Sequence, residues 1–89
     1  MIYYEKYINE RSNDWVTFIH GAGGSSSIWF KQSDHFKKLF NVILLDLRGH
    51  GKSSSSHINE KKYTFNSISK DILKILDKEN ISKTHLVGI

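Results

Sequence analysis

The sequence predicts an α/β domain: a mostly parallel sheet with helices on both faces. Three observations carry that prediction. Apolar segments of strand length alternate with segments of helical spacing, giving strand, helix, strand, helix, strand after an N-terminal strand. The run Val42-Ile43-Leu44-Leu45 is apolar without a break, as a strand buried on both faces requires. Two of the predicted strands, Trp15–Ile19 and Val42–Leu45, run directly into glycine-bearing turns.

Taken in order, Met1–Ile8 has strand-like content in Ile2, Tyr3, Tyr4, Tyr7 and Ile8, and Asn9–Asp14 is a polar turn. Together with Trp15–Ile19 this suggests a hairpin or a neighbouring strand. Val16, Phe18 and Ile19 then give a buried strand. Gly21, Gly23 and Gly24 follow, and because glycine tolerates positive φ the chain can turn sharply with its amide N–H groups uncovered. Such donors next to a helix N-terminus favour an anion or a developing negative charge.

Ile28, Trp29, Phe36, Leu39 and Phe40 fit one face of a helix over about 27–39, with Lys31, Lys37 and Lys38 turned outward and Asn41 ending it. Asp46 closes the strand Val42–Leu45. Leu47–Ser53 forms the second glycine turn, and Ser53–Ser56 with the polar residues to Lys62 read as an exposed, solvated loop. Thr64 is the N-cap of a helix reaching about residue 79, with Phe65, Ile68, Ile72, Ile75 and Leu76 as its apolar stripe and Leu73 beside them. Thr84–Gly88 is a last strand.

The 89 residues contain no internal repeat and no domain boundary, so residues 1–89 belong to one domain. The formal charge is +4, but the lysine pairs Lys37-Lys38 and Lys61-Lys62 are isolated, which argues against a nucleic-acid partner. There is no cysteine, hence no disulfide, thiolate metal site or cysteine nucleophile. His20, His35, His50, His57 and His85 lack a second ligand at useful spacing, so neither a metal nor another cofactor is expected. The N-terminus lacks the basic and apolar regions of a signal peptide, and no apolar run is long enough to span a bilayer. No membrane partner and a cytoplasmic location are the expectation.

Three chemistries compete for the glycine turns. Gly21-Ala22-Gly23-Gly24-Ser25-Ser26 after a strand, with Asp46 ending the next strand, approximates a dinucleotide fingerprint. Against it, Ser26 stands where a third glycine or alanine belongs, and the bulky Trp29 follows closely. Gly51-Lys52-Ser53 fails as a phosphate loop, because Asp46 stands where that pattern needs glycine and would repel phosphate. The third chemistry is acyl transfer, where an uncovered amide donor stabilises an oxyanion.

For this third reading the chain resembles the α/β-hydrolase fold family in three pieces. His20-Gly21-Ala22-Gly23-Gly24-Ser25 followed by Trp29 is similar to its oxyanion-loop motif. Asp46-Leu47-Arg48-Gly49-His50-Gly51-Lys52-Ser53 resembles its D-x-R-G-x-G-x-S turn. His85-Leu86-Val87-Gly88-Ile89 resembles the strand that enters the nucleophile elbow, G-x-S-x-G. The pieces stand in the family's order and cover nearly the whole chain.

The resemblance implies that the Ala22 backbone N–H is one oxyanion donor, supported by His20, Gly21 and Gly23. It implies that Asp46, Arg48, Gly49, Gly51 and Ser53 form a structural turn, and that Gly88 starts the elbow. His50 lies in that turn, as a structural or pocket-lining residue. The nucleophile falls at position 90, and the acid and the catalytic histidine lie further downstream. Family domains run to roughly 200–250 residues. The expectation is therefore the N-terminal part of an esterase- or lipase-like serine hydrolase with a Ser-His-Asp mechanism, inactive as these 89 residues. Its substrate is a small ester, thioester, lactone or amide. The loop lacks the H-G-x-P form common among epoxide hydrolases and haloalkane dehalogenases, which use an aspartate nucleophile. The implied strand order puts Trp15–Ile19 between Val42–Asp46 and Thr84–Gly88, leaving the last as an open edge through which the chain self-associates. The alternatives are a nucleotide-binding βαβ module on Gly21–Gly24, or a truncated non-catalytic chain that pairs with a partner.

Overall fold

The computed structural model describes residues 1–56 and 63–89. Four strands form one sheet: β1 (Tyr4–Tyr7), β2 (Trp15–Ile19), β3 (Asn41–Leu45) and β4 (His85–Gly88). Two helices flank it, α1 (Phe30–Phe36) and α2 (Phe65–Lys78), with 3-10 turns at Ser26–Trp29 and Gly51–Ser56. The spatial order is β1-β3-β2-β4; β3, β2 and β4 are parallel, and β1 runs antiparallel to β3. As predicted, β2 lies between β3 and β4, and the mostly parallel sheet is covered by helices on its two sides.

The alternation of β3 explains the two-sided core. Ile43 and Leu45 face α2 and pack with Leu47, Ile75 and Ile81. Val42 and Leu44 face the other way and pack with Val16, Phe18 and Trp29. All five residues of β3 are buried, so every other side chain feeds a different core. On the α1 side, the Phe18 ring tilts against Trp29 at 5.1 Å and Phe36 at 5.8 Å.

Helix α2 forms as its sequence predicts. The Thr64 side chain accepts the Ser67 N–H at 3.1 Å, a standard N-cap. At the other end Asn80 takes φ 57°, while Ile81 N–H reaches Leu76 O at 2.9 Å and Asn80 N–H reaches Asp77 O at 3.2 Å. This is a Schellman stop with asparagine in the left-handed position, and it drops Ile81 into the core.

Five expectations are corrected. β1 does not form a hairpin with β2 or lie next to it; it pairs with β3, from Tyr4↔Leu45 to Tyr7↔Val42. Asn41 makes this possible. Its side chain accepts the Asn9 N–H at 2.6 Å and donates to Ser12 O at 2.9 Å, holding the 9–14 connection across the end of β3. Asn41 therefore begins β3 rather than ending a helix. Helix α1 is also shorter than the predicted 27–39. It is preceded by the 3-10 turn, and after Phe36 the chain tightens again, with Lys38 N–H to His35 O and Leu39 N–H to Phe36 O. With about three residues per turn instead of 3.6, the stripe rotates. Trp29, Phe36 and Phe40 stay inward, while Ile28 and Leu39 are exposed. In α2, Phe65 and Leu73 are exposed and the stripe narrows to Ile68, Ile72, Ile75 and Leu76. Finally, Ser53 is not solvated but 1% exposed, inside the 3-10 turn. The rest of the predicted loop over 57–62, His57 included, lies outside the described residues.

Candidate functional site

Both glycine turns sit at the C-terminal ends of parallel strands, the side on which open α/β sheets hold ligands. β2 ends at Ile19, whose partners are Leu45 on β3 and Gly88 on β4. This brings all three predicted motifs to one edge of the sheet. A Cβ built on Gly21 would lie 3.7 Å from Ile89 O, so the first turn touches the end of β4.

Gly21-Ala22-Gly23-Gly24 is a tight turn closed by Gly24 N–H to Gly21 O at 3.0 Å. Gly23, third in the turn, has φ +84°, the left-handed value that a type II turn demands there and that glycine supplies without strain. Ala22 is the exposed second residue. Among the described residues no acceptor is bonded to its N–H.

Two imidazoles clasp the turns together. His20, 2% exposed at the end of β2, accepts the Leu47 N–H on Nε2 at 3.0 Å, while its Nδ1 lies 2.8 Å from Gly21 O. His50 makes the mirror-image contacts. Its Nε2 accepts the Gly23 N–H at 2.9 Å, and its Nδ1 lies 3.0 Å from Arg48 O. An Nε2 that accepts leaves the ring proton on Nδ1, where a carbonyl oxygen stands ready in both cases. Each turn thus carries a histidine that accepts an amide of the other, and the rings are 5.2 Å apart.

Asp46 joins the same structure from below. Its two carboxylate oxygens accept the N–H groups of Ser26 at 2.7 Å and Lys52 at 2.9 Å. Burial pushes this carboxyl up, but those two amides and the Ser26 side chain outweigh it, and Asp46 is held below the ordinary carboxylate range. The backbone of Asp46 is tied as well: Ser53 donates its hydroxyl to Asp46 O at 2.7 Å and accepts Tyr3 N–H at 2.8 Å. Gly49 takes φ +77°, and its N–H reaches Ser53 O at 3.0 Å. With both oxygens engaged and the residue only 2% exposed, Asp46 is not open to the ribose hydroxyl of a dinucleotide.

Arg48 grips Asp71 of α2 in a bidentate pair, Nε to Oδ2 at 2.7 Å and Nη2 to Oδ1 at 2.8 Å. The hydrogen bonds to Asp71 raise the Arg48 guanidinium above its ordinary value. Asp71 escaped the sequence reading, although a signal was present. It lies three residues after Ile68 and four before Ile75, a carboxylate inside an apolar stripe that calls for a cation opposite. The Gly23–His50 contact also went unread, because nothing local joins residues 27 positions apart.

His35 and His85 stand apart from this cluster: His35 edges onto Phe36, and His85 is exposed on β4. Among the described residues no three histidine, cysteine or acidic side chains are grouped to hold a metal ion. The larger groove, about 880 Å³, runs between α2 and the β4 edge past Trp15, Ile72, Leu73, Leu76 and Leu86. A smaller one of about 380 Å³ lies between β1 and the start of α1. Ala22 and Gly23 line neither groove. Among the described residues no helix is long and apolar enough to cross a membrane.

A glycine turn after the first parallel strand, clasped to an aspartate-bearing turn after the next, defines a hydrolase-type α/β sheet. The chain belongs to the alpha/beta hydrolase fold family, whose model matches residues 14–89. Protein ABHD8 from Homo sapiens is 39% identical over 72 residues, covering 80% of this chain and 16% of that protein. The 3-oxoadipate enol-lactonase 1 of Acinetobacter baylyi is 32% identical over 74 residues, 83% of this chain and 26% of the enzyme. Among solved structures, the enol-lactonase from Burkholderia xenovorans LB400 superposes with a TM-score of 0.85 at 26% identity, over 99% of this chain and 33% of that one. The chain thus spans a third or less of the length of these relatives.

Proposed function

We propose that residues 1–89 are the N-terminal part of the α/β-hydrolase domain of a serine hydrolase that acts on a small ester, thioester, lactone or amide. In this reading the Ala22 N–H is one oxyanion donor, with His20, Gly21 and Gly23 shaping its turn and Gly88 opening the nucleophile elbow. Asp46, Arg48, Gly49, Gly51 and Ser53 brace the turn from behind. The residues beyond 89 supply the nucleophile, the second donor, the acid and the histidine, so the 89-residue chain alone does not turn over. The open edge of β4 then pairs with a second copy. The protein is cytoplasmic and works without a cofactor.

The observation that carries this reading is Ala22, an exposed residue whose N–H has no bonded acceptor among the described residues, in a turn touching the end of β4. A preorganised donor of this kind stabilises the tetrahedral oxyanion more than the ground-state carbonyl. The enol-lactonases among the relatives agree with the substrate class.

Ala22→Pro in the full-length protein is the direct test. Proline is at home in the second position of a type II turn, so the substitution deletes one N–H and leaves the turn. Loss of a single oxyanion donor lowers kcat by about 10²- to 10³-fold. A chromogenic short-chain ester reads the rate, and a fluorophosphonate probe reads the serine. Undiminished turnover in the proline variant rejects the donor; absence of labelling in an active enzyme rejects the serine.

A further inference from the structure

We infer that His50 is a positioning residue for the Ala22 donor, acting through the neighbouring Gly23 amide. The inference rests on the reading of Ala22 as an oxyanion donor, and it assigns a role to a side chain that the reading itself leaves idle. The Ala22–Gly23 peptide unit is the centre of the turn, and its N–H belongs to Gly23. His50 Nε2 takes that N–H at 2.9 Å. The Ala22 N–H belongs to the preceding Gly21–Ala22 unit, so fixing the Ala22–Gly23 plane limits how far that unit can swing about the Ala22 Cα.

His50 can do this because it is itself fixed. Its Nδ1 meets Arg48 O at 3.0 Å, which keeps the proton off Nε2 and the lone pair on Gly23. Arg48 is bound in turn to Asp71 on α2. The ring lies between the His20 ring at 5.2 Å and the Tyr63 ring at 5.7 Å. The result is a continuous line from helix α2 through Asp71, Arg48 and His50 to the Gly23 amide. His20 holds the Gly21–Ala22 unit itself through Gly21 O, and its opposite nitrogen is anchored on Leu47 N–H, so the two rings together fix both peptide planes that meet at Ala22. The turn is thus held at both ends by rings that belong to two different strand ends.

The experiment uses the full-length protein with three variants, His50→Leu, His50→Gln and Ala22→Pro. Selective isotopic labelling of glycine and histidine lets a nitrogen–nitrogen scalar coupling across the Gly23–His50 hydrogen bond be read directly. That coupling is expected in the wild type. His50→Leu, which has no acceptor, should lower kcat by about 10- to 100-fold, the scale of a small misplacement in an oxyanion site. KM should stay within about threefold, since ground-state binding is not the target. His50→Gln, whose amide oxygen can reach the same N–H, should recover most of kcat.

Absence of the coupling overturns the inference, as does a glutamine variant no better than leucine. So does a leucine variant that melts earlier but keeps its kcat, the mark of a purely structural contact. If the leucine variant does not fold, the coupling and the glutamine variant still decide. Should Ala22→Pro retain full activity, the oxyanion reading fails, and the coupling separately reports whether the His50–Gly23 contact exists.

Discussion

Asp46 and Gly51 occupy space that only a glycine leaves open. A Cβ at Gly51 would lie 2.5 Å from Asp46 Oδ2 and 2.7 Å from its Cγ, and Gly51 also has φ +48°. The carboxylate that ties Ser26 to Lys52 therefore rests directly on the Gly51 backbone. This gives a physical reason for the second glycine of the Asp46–Ser53 turn.

Gly51→Ala should accordingly destabilise the protein by more than the backbone cost alone, which is about 1–2 kcal/mol for an L residue in the left-handed region. Gly23→Ala is the matched control. It has a similar positive φ, +84°, but nothing within 4 Å of the new Cβ. Urea unfolding of both variants separates the two contributions. Equal losses at the two sites would mean that the Asp46 carboxylate moves aside at no cost.

The same carboxylate makes an acid-dependent contribution. Its folded-state value is depressed, so the stabilisation is complete above about pH 4, the ordinary value for an unfolded aspartate, and is lost as pH falls through the folded value. Asp46→Asn removes that dependence. It also turns an amide N–H toward a backbone donor, Ser26 or Lys52, and an unpaired buried donor costs about 1–3 kcal/mol. Stability measured from pH 7 downward should show wild type and variant converging in acid. Parallel curves would place the acid sensitivity elsewhere, with Glu79 next in line. Glu79 is also held below its ordinary range, chiefly by Lys6 and then by Tyr4.

The pair of Arg48 and Asp71 should tolerate neither partner's nearest relative. Arg48→Lys keeps the charge but loses the two-pronged geometry, and Asp71→Asn keeps the shape but loses the charge. With side chains 19% and 9% exposed, each single variant should cost about 1–3 kcal/mol, and the double variant less than the sum. A double-mutant cycle on thermal or urea unfolding measures the coupling. Strict additivity would mean that the pair contributes nothing beyond its separate parts.

Much of this architecture was legible because it is periodic. The unbroken β3, the Thr64 cap and the apolar stripe of α2 apart from Phe65 are local patterns, and they appear where the sequence puts them. The three motifs also meet at one end of the sheet, since parallel strands carry their ends to the same side. What escaped was set by partners far along the chain. β1 reads as a strand but nothing in Tyr4–Tyr7 names β3 as its neighbour; Asn41, 32 residues from Asn9, decides that. Ser53 looks like one of four solvated serines until Tyr3 and Asp46 are seen to need its hydroxyl. Tyr4 and Glu79 bond across the length of the chain, joining β1 to the end of α2. Hydroxyls and imidazoles of this kind have no periodicity to betray them.

The last prediction concerns the edge of the sheet. Among the described residues β4 pairs with β2 alone, so its other edge carries unpaired backbone groups, and on one face of the strand Leu86 is 62% exposed beside the groove under α2. A strand with one edge unpaired is a template for a second chain. The 89-residue chain should therefore sediment above its monomer mass of 10.3 kDa, with the dimer fraction rising with concentration. Leu86→Lys places a charge where another strand would dock and should return the chain to monomer. His85→Lys tests the opposite face of β4, which side-chain alternation turns away from Leu86. A wild-type chain that stays monomeric at high concentration would leave the β4 edge without a partner and remove self-pairing from the reading.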